Sequence, residues 1–515
     1  MSNNNNPNKL KLQTRDFTAE NIAKLNELFP SLVCEGKVNL DALRAFVGEK
    51  VQTNEAYELT WVGKRQAIAE AGRPTRKTLR PCVDESIDFD TTGNLYIEGD
   101  NLDVLKLLQE SYLGKVKMIY IDPPYNTGND FIYNDSFRSD DDEYNEEVEY
   151  FDDDGHHNFR ENNSSNPRFH SDWCSMIYPR LQLARNLLRD DGVIFISIDD
   201  NEIINVMKLC DEVFGACNKV GIMTIQSNPR GSQASKHLSN VHEYIVMYAK
   251  DSSSLELKGV SKGVDVESEY QEVDERCRRY RLLGLRQRGG AWKKEDRPAM
   301  HYPIYINPQN GSVSLNKDDL YSIEVIPKRP TGELSRWTWG KDKLRREKAI
   351  IVGRRVNRSG QNEAWDVFRK DYMDNDDGTE KNAKIKTMWV EKEINYQNAK
   401  NEIKDLFGNS EMFDFPKPTY IVETLASMLF CDNGDVILDF FSGSATTAQA
   451  VMQLNSKDGG NRKFICVQLP ETLREKSEAH KSGYKNICEI GKERIRRAGR
   501  QILELSLKSL ASFPC

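Results

Sequence analysis

Two short strings carry residue types whose order could do chemistry. The first is Asp122-Pro123-Pro124-Tyr125, which directly follows the apolar run Val116–Ile121 (VKMIYI). Two prolines fix the backbone, and Pro124 has no N–H to donate. The turn therefore presents acceptors, the Asp122 carboxylate and the Pro123 carbonyl, without a competing amide. Two rigidly held acceptors match an exocyclic amine with its two N–H donors, and Tyr125 adds a flat face on which a base can stack. A plain proline-rich turn is the competing reading of the dipeptide alone.

The second string is Val436–Thr447 (VILDFFSGSATT), an apolar run, a turn of small residues and a helix start. Ser442, Gly443, Ser444 and Ala445 let a ligand approach the backbone, and the helix that opens at Thr446 offers unpaired N–H groups. No lysine follows the turn, which disfavours a nucleotide phosphate loop. Asp439, with Phe440 beside it, suits an ammonium better than a phosphate. The next apolar run ends in Gln468, able to hydrogen-bond a hydroxyl. Asp100, at the end of Leu95-Tyr96-Ile97, reads either as a helix N-cap or as a ligand contact. No cysteine or histidine cluster has metal spacing among the ten cysteines, so no metal site is expected.

Residues so placed need strands to carry them. Apolar runs at 95–97, 116–121, 192–198, 436–440 and 464–469 alternate with helical spacing at 102–113, 181–188, 446–454 and 485–507. That rhythm predicts a doubly wound parallel α/β sheet, with ligands at the carboxyl ends of its strands. VGIMTIQ and HEYIVMYAK, at 220–250, predict an antiparallel hairpin at the sheet edge. The rhythm lapses over residues 251–410 and resumes afterwards, so one α/β domain is expected in two pieces, 56–250 and 411–500, around an insertion. Residues 1–55 form an N-terminal helical element (Ile22, Leu25, Leu28, Leu40, Leu43, Phe46) and 501–515 a tail. The length, 515 residues, calls for more than one domain, and 38% hydrophobic residues suffice for real cores. With no signal peptide and no apolar stretch of membrane length, a cytoplasmic protein without membrane partners is expected.

IDPPYNTG, at 121–128, resembles the catalytic motif of methyltransferases that act on adenine or cytosine amines in nucleic acid. The resemblance assigns Asp122 and Pro123 to orienting the target amine, with Pro124 shaping the turn and Tyr125 stacking on the flipped base; Asp at the first position favours adenine. VILDFFSGSATT resembles the family's Phe-x-Gly-x-Gly turn for S-adenosyl-L-methionine, with Ala445 in place of the last glycine, acceptable if the local φ is negative. FDFPKP (413–418, with Lys417 and Pro418) is similar to the segment closing over the methionine portion, and Asp100 to the residue reaching the cofactor adenine. Catalytic motif first and cofactor turn last is the circularly permuted order of the β class. WCSMIYPRLQLARNLLRDDGVIFISIDDNE, SNPRGSQASKHLSNVHEYIVMYAK and RCRRYRLLGLRQRGGAWKKEDRPAMHYPIYINP resemble the modification (Mod) subunits of type III restriction-modification systems. Over residues 57–500 this implies N6-adenine methylation of a short asymmetric site in double-stranded DNA. It also implies an α+β target-recognition domain as the insertion, a Mod homodimer and a restriction partner, Res. Members of that family usually continue well beyond the helix near Arg497, which bears on Res binding and dimerisation.

Net charge is −8, an unfavourable average for a DNA partner, but charge is segregated. Arg276, Arg278, Arg279, Arg281, Arg286, Arg288, Lys293 and Lys294 crowd one segment with Tyr280 and Trp292, a candidate DNA-facing surface. A solvated loop is the rival reading. Asp140–Asp154 holds ten acidic residues and no basic one, and is assigned no chemistry. Two further functions stay open: a stand-alone adenine or N4-cytosine methyltransferase, and a non-catalytic DNA-recognition subunit.

Overall fold

The computed structural model describes residues 14–28, 33–34, 37–38, 43, 58–128, 131–133, 159–163, 165–231, 237–259, 269–329, 331–358, 361–374, 384–431 and 434–511. The acidic run 140–154 and most of the expected N-terminal helical element beyond Leu28 lie outside them. The chain folds as two compact units, one from Met1–Lys258 with Ile385–Cys515, the other from Gly259–Lys384.

Eight strands of the first unit form one sheet: β1 Leu95–Glu98, β2 Val116–Ile121, β3 Leu188–Ile198, β4 Lys219–Ile225, β5 Glu243–Ala249, β6 Met388–Trp389, β7 Val436–Asp439 and β8 Lys463–Gln468. Their order is β6-β4-β5-β3-β2-β7-β8-β1. β5 runs antiparallel to β3 and β4, and the remaining neighbours are parallel. The helices around it are α1 Asn101–Tyr112, α2 Phe169–Leu187, α3 Ile203–Cys210, α4 Tyr396–Phe407, α5 Thr419–Met428, α6 Thr446–Asp458 and α7 Ile487–Ala511. Each of β2's six residues is buried, as a strand covered on both faces requires. Its alternation sorts them: Ile119 and Ile121 pack with α1, α2 and α3, while Met118 and Tyr120 pack with α5 and α6. The sheet is thus the middle of three layers.

β2 and β7 are hydrogen-bonded neighbours, pairing Ile437 with Met118 and Leu438 with Ile119. From β2 the chain moves to β3 on one side, and from β7 to β8 on the other. Their junction is therefore a topological switch point, where a crevice opens at the carboxyl ends.

Three expectations shift. The hairpin is present, but the edge belongs to β6, a two-residue strand whose Trp389 is buried. The expected insertion end at 410 is too late, because β6 and α4 fold with the sheet and the contact boundary falls at 384. The expected tail from 501 continues α7 through Ala511. No described helix is long and apolar enough to cross a membrane.

The second unit is chiefly antiparallel strand. A four-stranded sheet joins Glu272–Val273, Arg279–Gly284, Gln361–Tyr372 and Ile351–Arg358, and a three-stranded sheet centres on Ile304–Ile306. Trp337, Ile304, Ile306, Leu285 and Val367 form its core. Lys341–Arg346 is the single α-helix among its described residues, so the helical part of the α+β expectation is slight.

Candidate active site

Asp122 leaves the end of β2, and Asp439 ends β7 beside it. Both line a cavity of about 330 Å³, with Phe441, Ser442, Gly443, Ser444 and Thr446 of the turn on one wall. Residues 411–417 form a second wall, and Leu473, Ser477, Ala479, Ile487 and Ile490 a third. The two strings, more than three hundred positions apart in sequence, open onto one space.

The turn after β2 is held from behind. Trp173 Nε1 donates to the Pro124 carbonyl at 2.8 Å. Asn126, at φ +60°, donates to Glu202 at 2.6 Å. Asp122 Oδ1 is buried and accepts no hydrogen bond. Lys417 Nζ stands 3.3 Å from it, an ion-pair distance, but aims its donors at Tyr125 Oη (2.6 Å) and Glu243 Oε2 (2.7 Å). Burial pushes the Asp122 carboxyl above the ordinary carboxylate range; Lys417 opposes the rise and Glu243 adds to it. Burial would lower the Lys417 ammonium, but Asp122 and Glu243 outweigh it and hold its pKa well above the usual value. The Tyr125 hydroxyl donates to Glu243 at 3.0 Å, which fixes the ring next to Asp122.

The small-residue turn is bound by its own neighbours. Gly443 sits at φ +50°, and its N–H donates to Gln468 Oε1 at 2.7 Å. A Cβ at Gly443 would stand 3.4 Å from Phe413. Ala445 adopts φ +63°, so the condition of a negative angle is not met; it keeps a left-handed conformation at a cost of about 1–2 kcal/mol. The turn closes through Ala445 N–H to Ser442 carbonyl at 2.7 Å. Asp439 accepts from Phe441 N at 3.1 Å and Thr447 Oγ1 at 2.5 Å, and burial raises its carboxyl to about 7.

Not every expected contact reaches the cavity. Asp100 caps α1, accepting from Leu102 and Asp103 N–H groups, and does not line it. Gln468 ties its oxygen to Gly443 and its amide nitrogen to the Leu469 carbonyl, so it shapes the turn from behind. Phe440 is buried, and Pro418 occupies the N-cap of α5. Thr446 Oγ1 donates to the Lys417 carbonyl at 3.1 Å, linking turn and closing segment.

Residue-level reading of the sequence missed four participants. Glu243 sits in β5 and Tyr396 opens α4; their hydroxyl–carboxylate bond is 2.8 Å. Arg494 of α7 is fully buried and donates to Ser444 Oγ (2.6 Å), Thr446 Oγ1 (2.7 Å) and Gln449 Oε1 (2.7 Å), with Glu402 Oε2 at 3.3 Å. A charge at the head of an otherwise apolar strand, as in HEYIVMYA, is the one available signal for Glu243.

The basic segment lies in the second unit. Arg278 pairs with Asp274, and Arg281 with Glu269 and Asp371, which neutralises both. Arg276, Arg279, Arg288 and Lys293 are exposed, and Arg286 and Lys294 are half-buried. No group of metal-ligating residues occurs among the described residues.

A family model described as DNA methylase matches residues 116–496. The chain is 37% identical over 467 residues to the type III restriction-modification enzyme EcoPI Mod subunit of Escherichia phage P1, covering 88% of this chain and 70% of that one. It is 33% identical over 496 residues to the EcoP15I Mod subunit of Escherichia coli, covering 92% and 74%. It is 34% identical over 412 residues to the type II methyltransferase M.KpnI of Klebsiella pneumoniae, covering 79% and 87%.

Proposed function

The chain belongs to the N6/N4 DNA methylase family and, within it, to the Mod subunits of type III restriction-modification systems, and from that premise we propose that it methylates the N6 amine of adenine in DNA. The observation that carries the reading is the single cavity onto which Asp122 and the Ser442–Thr446 turn both open.

The residues fit S-adenosyl-L-methionine. Ser442 Oγ is buried without a partner, a polar atom that a ligand can satisfy. Gly443 keeps the backbone open, and Asp439 supplies a carboxylate for an ammonium. Asp439, Ser442, Gly443, Ser444 and Lys417 would hold the cofactor, which when bound supplies an electrophilic methyl group.

The adenine amine is inaccessible within a duplex, so the base must leave the stack, at a cost of a few kcal/mol. Tyr125 offers a face that offsets about 1–3 kcal/mol of it. The Asp122 carboxylate, which lines the cavity, accepts one N–H of the amine, and the Pro123 carbonyl accepts the other. These acceptors stabilise the positive charge that develops on nitrogen. Asp122, raised by burial, then takes the proton that the methylated nitrogen sheds.

The strand order, with the Asp122 strand early and the Asp439 strand late, supports a permuted methyltransferase. The unit Gly259–Lys384 is assigned to target recognition, with Arg276, Arg279, Arg288 and Lys293 available to phosphates. Res is the expected partner, as the relatives' type III membership supports, and a second Mod copy is proposed beside it.

Labelled-methyl transfer to duplex DNA, followed by nucleoside mass spectrometry, tests the proposal. N6-methyladenine from the wild type and none from Asp122→Ala is expected, with DNA binding retained. N4-methylcytosine would reassign the base, and an inert wild type on every duplex would leave a recognition subunit.

A further inference from the structure

Lys417, one of the residues that would hold the cofactor, and Glu243 place buried charge next to the Asp122 turn. Lys417 and Glu243 are both nearly excluded from solvent, at 7% and 3% exposure. An ammonium has three donors. Two of Lys417's go to Tyr125 Oη and Glu243 Oε2, and Asp122 Oδ1, only 3.3 Å away, receives none. Glu243 Oε2 also accepts from Tyr125 Oη at 3.0 Å and Tyr396 Oη at 2.8 Å. The carboxylate from β5 therefore collects the donors that would otherwise turn to Asp122.

We propose that Glu243 is a positioning residue for methyl transfer, which draws the Lys417 ammonium aside so that the Asp122 carboxylate keeps its acceptor capacity for the target amine. The inference rests on the assignment of Asp122 as the amine acceptor. It explains why a buried carboxylate oxygen stands without a hydrogen bond beside a lysine: a direct Lys417–Asp122 bond would take up acceptor capacity of the carboxylate that receives the amine. It also sets the charge of the site. Two carboxylates against one ammonium leave one negative charge in excess, near the nitrogen on which positive charge grows. The charged and titratable groups facing Asp122 are Tyr120 of β2, Tyr125, Glu243 of β5, Lys417 ahead of α5 and Asp439 of β7, and Tyr396 of α4 faces the Lys417–Glu243 pair.

The test is single-turnover transfer of labelled methyl to duplex DNA between acid and alkaline pH, with wild type, Glu243→Gln and Tyr396→Phe. In Glu243→Gln the ammonium relaxes onto Asp122. The rate falls by about tenfold or more, and the acid limb moves down by about one pH unit, as expected for a carboxylate gaining an opposite charge. In Tyr396→Phe, Glu243 has one donor fewer and holds Lys417 harder, so the limb moves the other way, to higher pH. Displacements of opposite sign are not produced by loosened packing. Limbs that coincide with wild type in both variants overturn the proposal, whatever their rates. If Glu243→Gln does not fold, the direction in Tyr396→Phe decides alone. A wild type that methylates no DNA refutes the assigned reaction itself, whereas active enzyme with unmoved limbs refutes this inference only.

Discussion

Cofactor affinity should depend on pH through Asp439. Its carboxyl is 3% exposed, and burial raises it to about 7 although Thr447 and the Phe441 amide donate to it. An ammonium pairs with the carboxylate and not with the acid, so the binding-competent fraction falls about tenfold per pH unit below the pKa, or about 1.4 kcal/mol. At pH 6 affinity should be about tenfold weaker than at pH 8, and at pH 5 about a hundredfold weaker. The sign of the stability effect follows from linkage. The folded pKa lies above the unfolded value of about 3.9, so between the two the folded chain holds the extra proton, and the ligand-free protein loses stability as pH rises from about 4 to about 7. Bound ammonium reverses that penalty, so stabilisation by cofactor grows over the same window. Titration calorimetry with S-adenosyl-L-methionine across this range measures the slope, and Asp439→Asn should remove it while weakening binding at pH 8. A flat affinity between pH 5 and 8 in the wild type would show that Asp439 does not meet the ammonium.

Three further outcomes follow from single contacts. Arg494→Met removes a buried guanidinium that bonds Ser444, Thr446 and Gln449 and leaves Glu402 without its cation; a loss of about 3–5 kcal/mol in guanidinium unfolding is expected, with weaker cofactor binding. Ala445→Gly should be near neutral, within about 1 kcal/mol by the same assay, because relief of the left-handed backbone (about 1–2 kcal/mol) is offset by a lost buried methyl and a more flexible unfolded chain. Replacing exposed Arg279 and Arg288 together by Gln should lower the slope of log affinity against log salt by about 2 in DNA-binding titrations, and neutralising the already paired Arg281 should change it far less.

The strands were legible because burial on both faces makes them continuous apolar runs, and β2, β3 and β8 stand where those runs stand. The Asp122 and Asp439 turns were legible because rigid or small residues at a strand end have few other uses. Partners fixed by the folded chain alone were not legible. Glu243 lies 174 positions from Lys417, and Arg494 lies 50 from Ser444; neither distance carries a local signal. Ala445 shows the limit of motif reading in the other direction. Its position wanted glycine for a positive φ, the sequence supplied alanine, and the fold kept the angle rather than the residue preference. Gln468 shows the same limit, since a side chain suited to a hydroxyl ligand is occupied by the Gly443 amide.

The site is a seam between two pieces of chain, and its precision comes from ties that cross the seam. β2 and β7 pair through backbone hydrogen bonds, Asn101 Nδ2 donates to the Phe440 carbonyl at 2.8 Å, and Arg189 bonds Asp435 at 2.6 Å just before β7. Lys417 adds a fourth tie, from the later piece to Asp122, Tyr125 and Glu243 of the earlier one. Three of these ties are backbone or structural contacts that merely align the strand ends. The fourth is made of charge at the place where an amine must be received, and a misplacement of about 1 Å there is enough to cost reaction geometry. Arg494 steadies the cofactor turn from α7, within the later piece, while Lys417 spans both. On the proposed assignment, a methyl donor held by one piece and an acceptor carried by the other meet in line only if that lysine is itself held, and Glu243 and Tyr125 are the residues bonded to it.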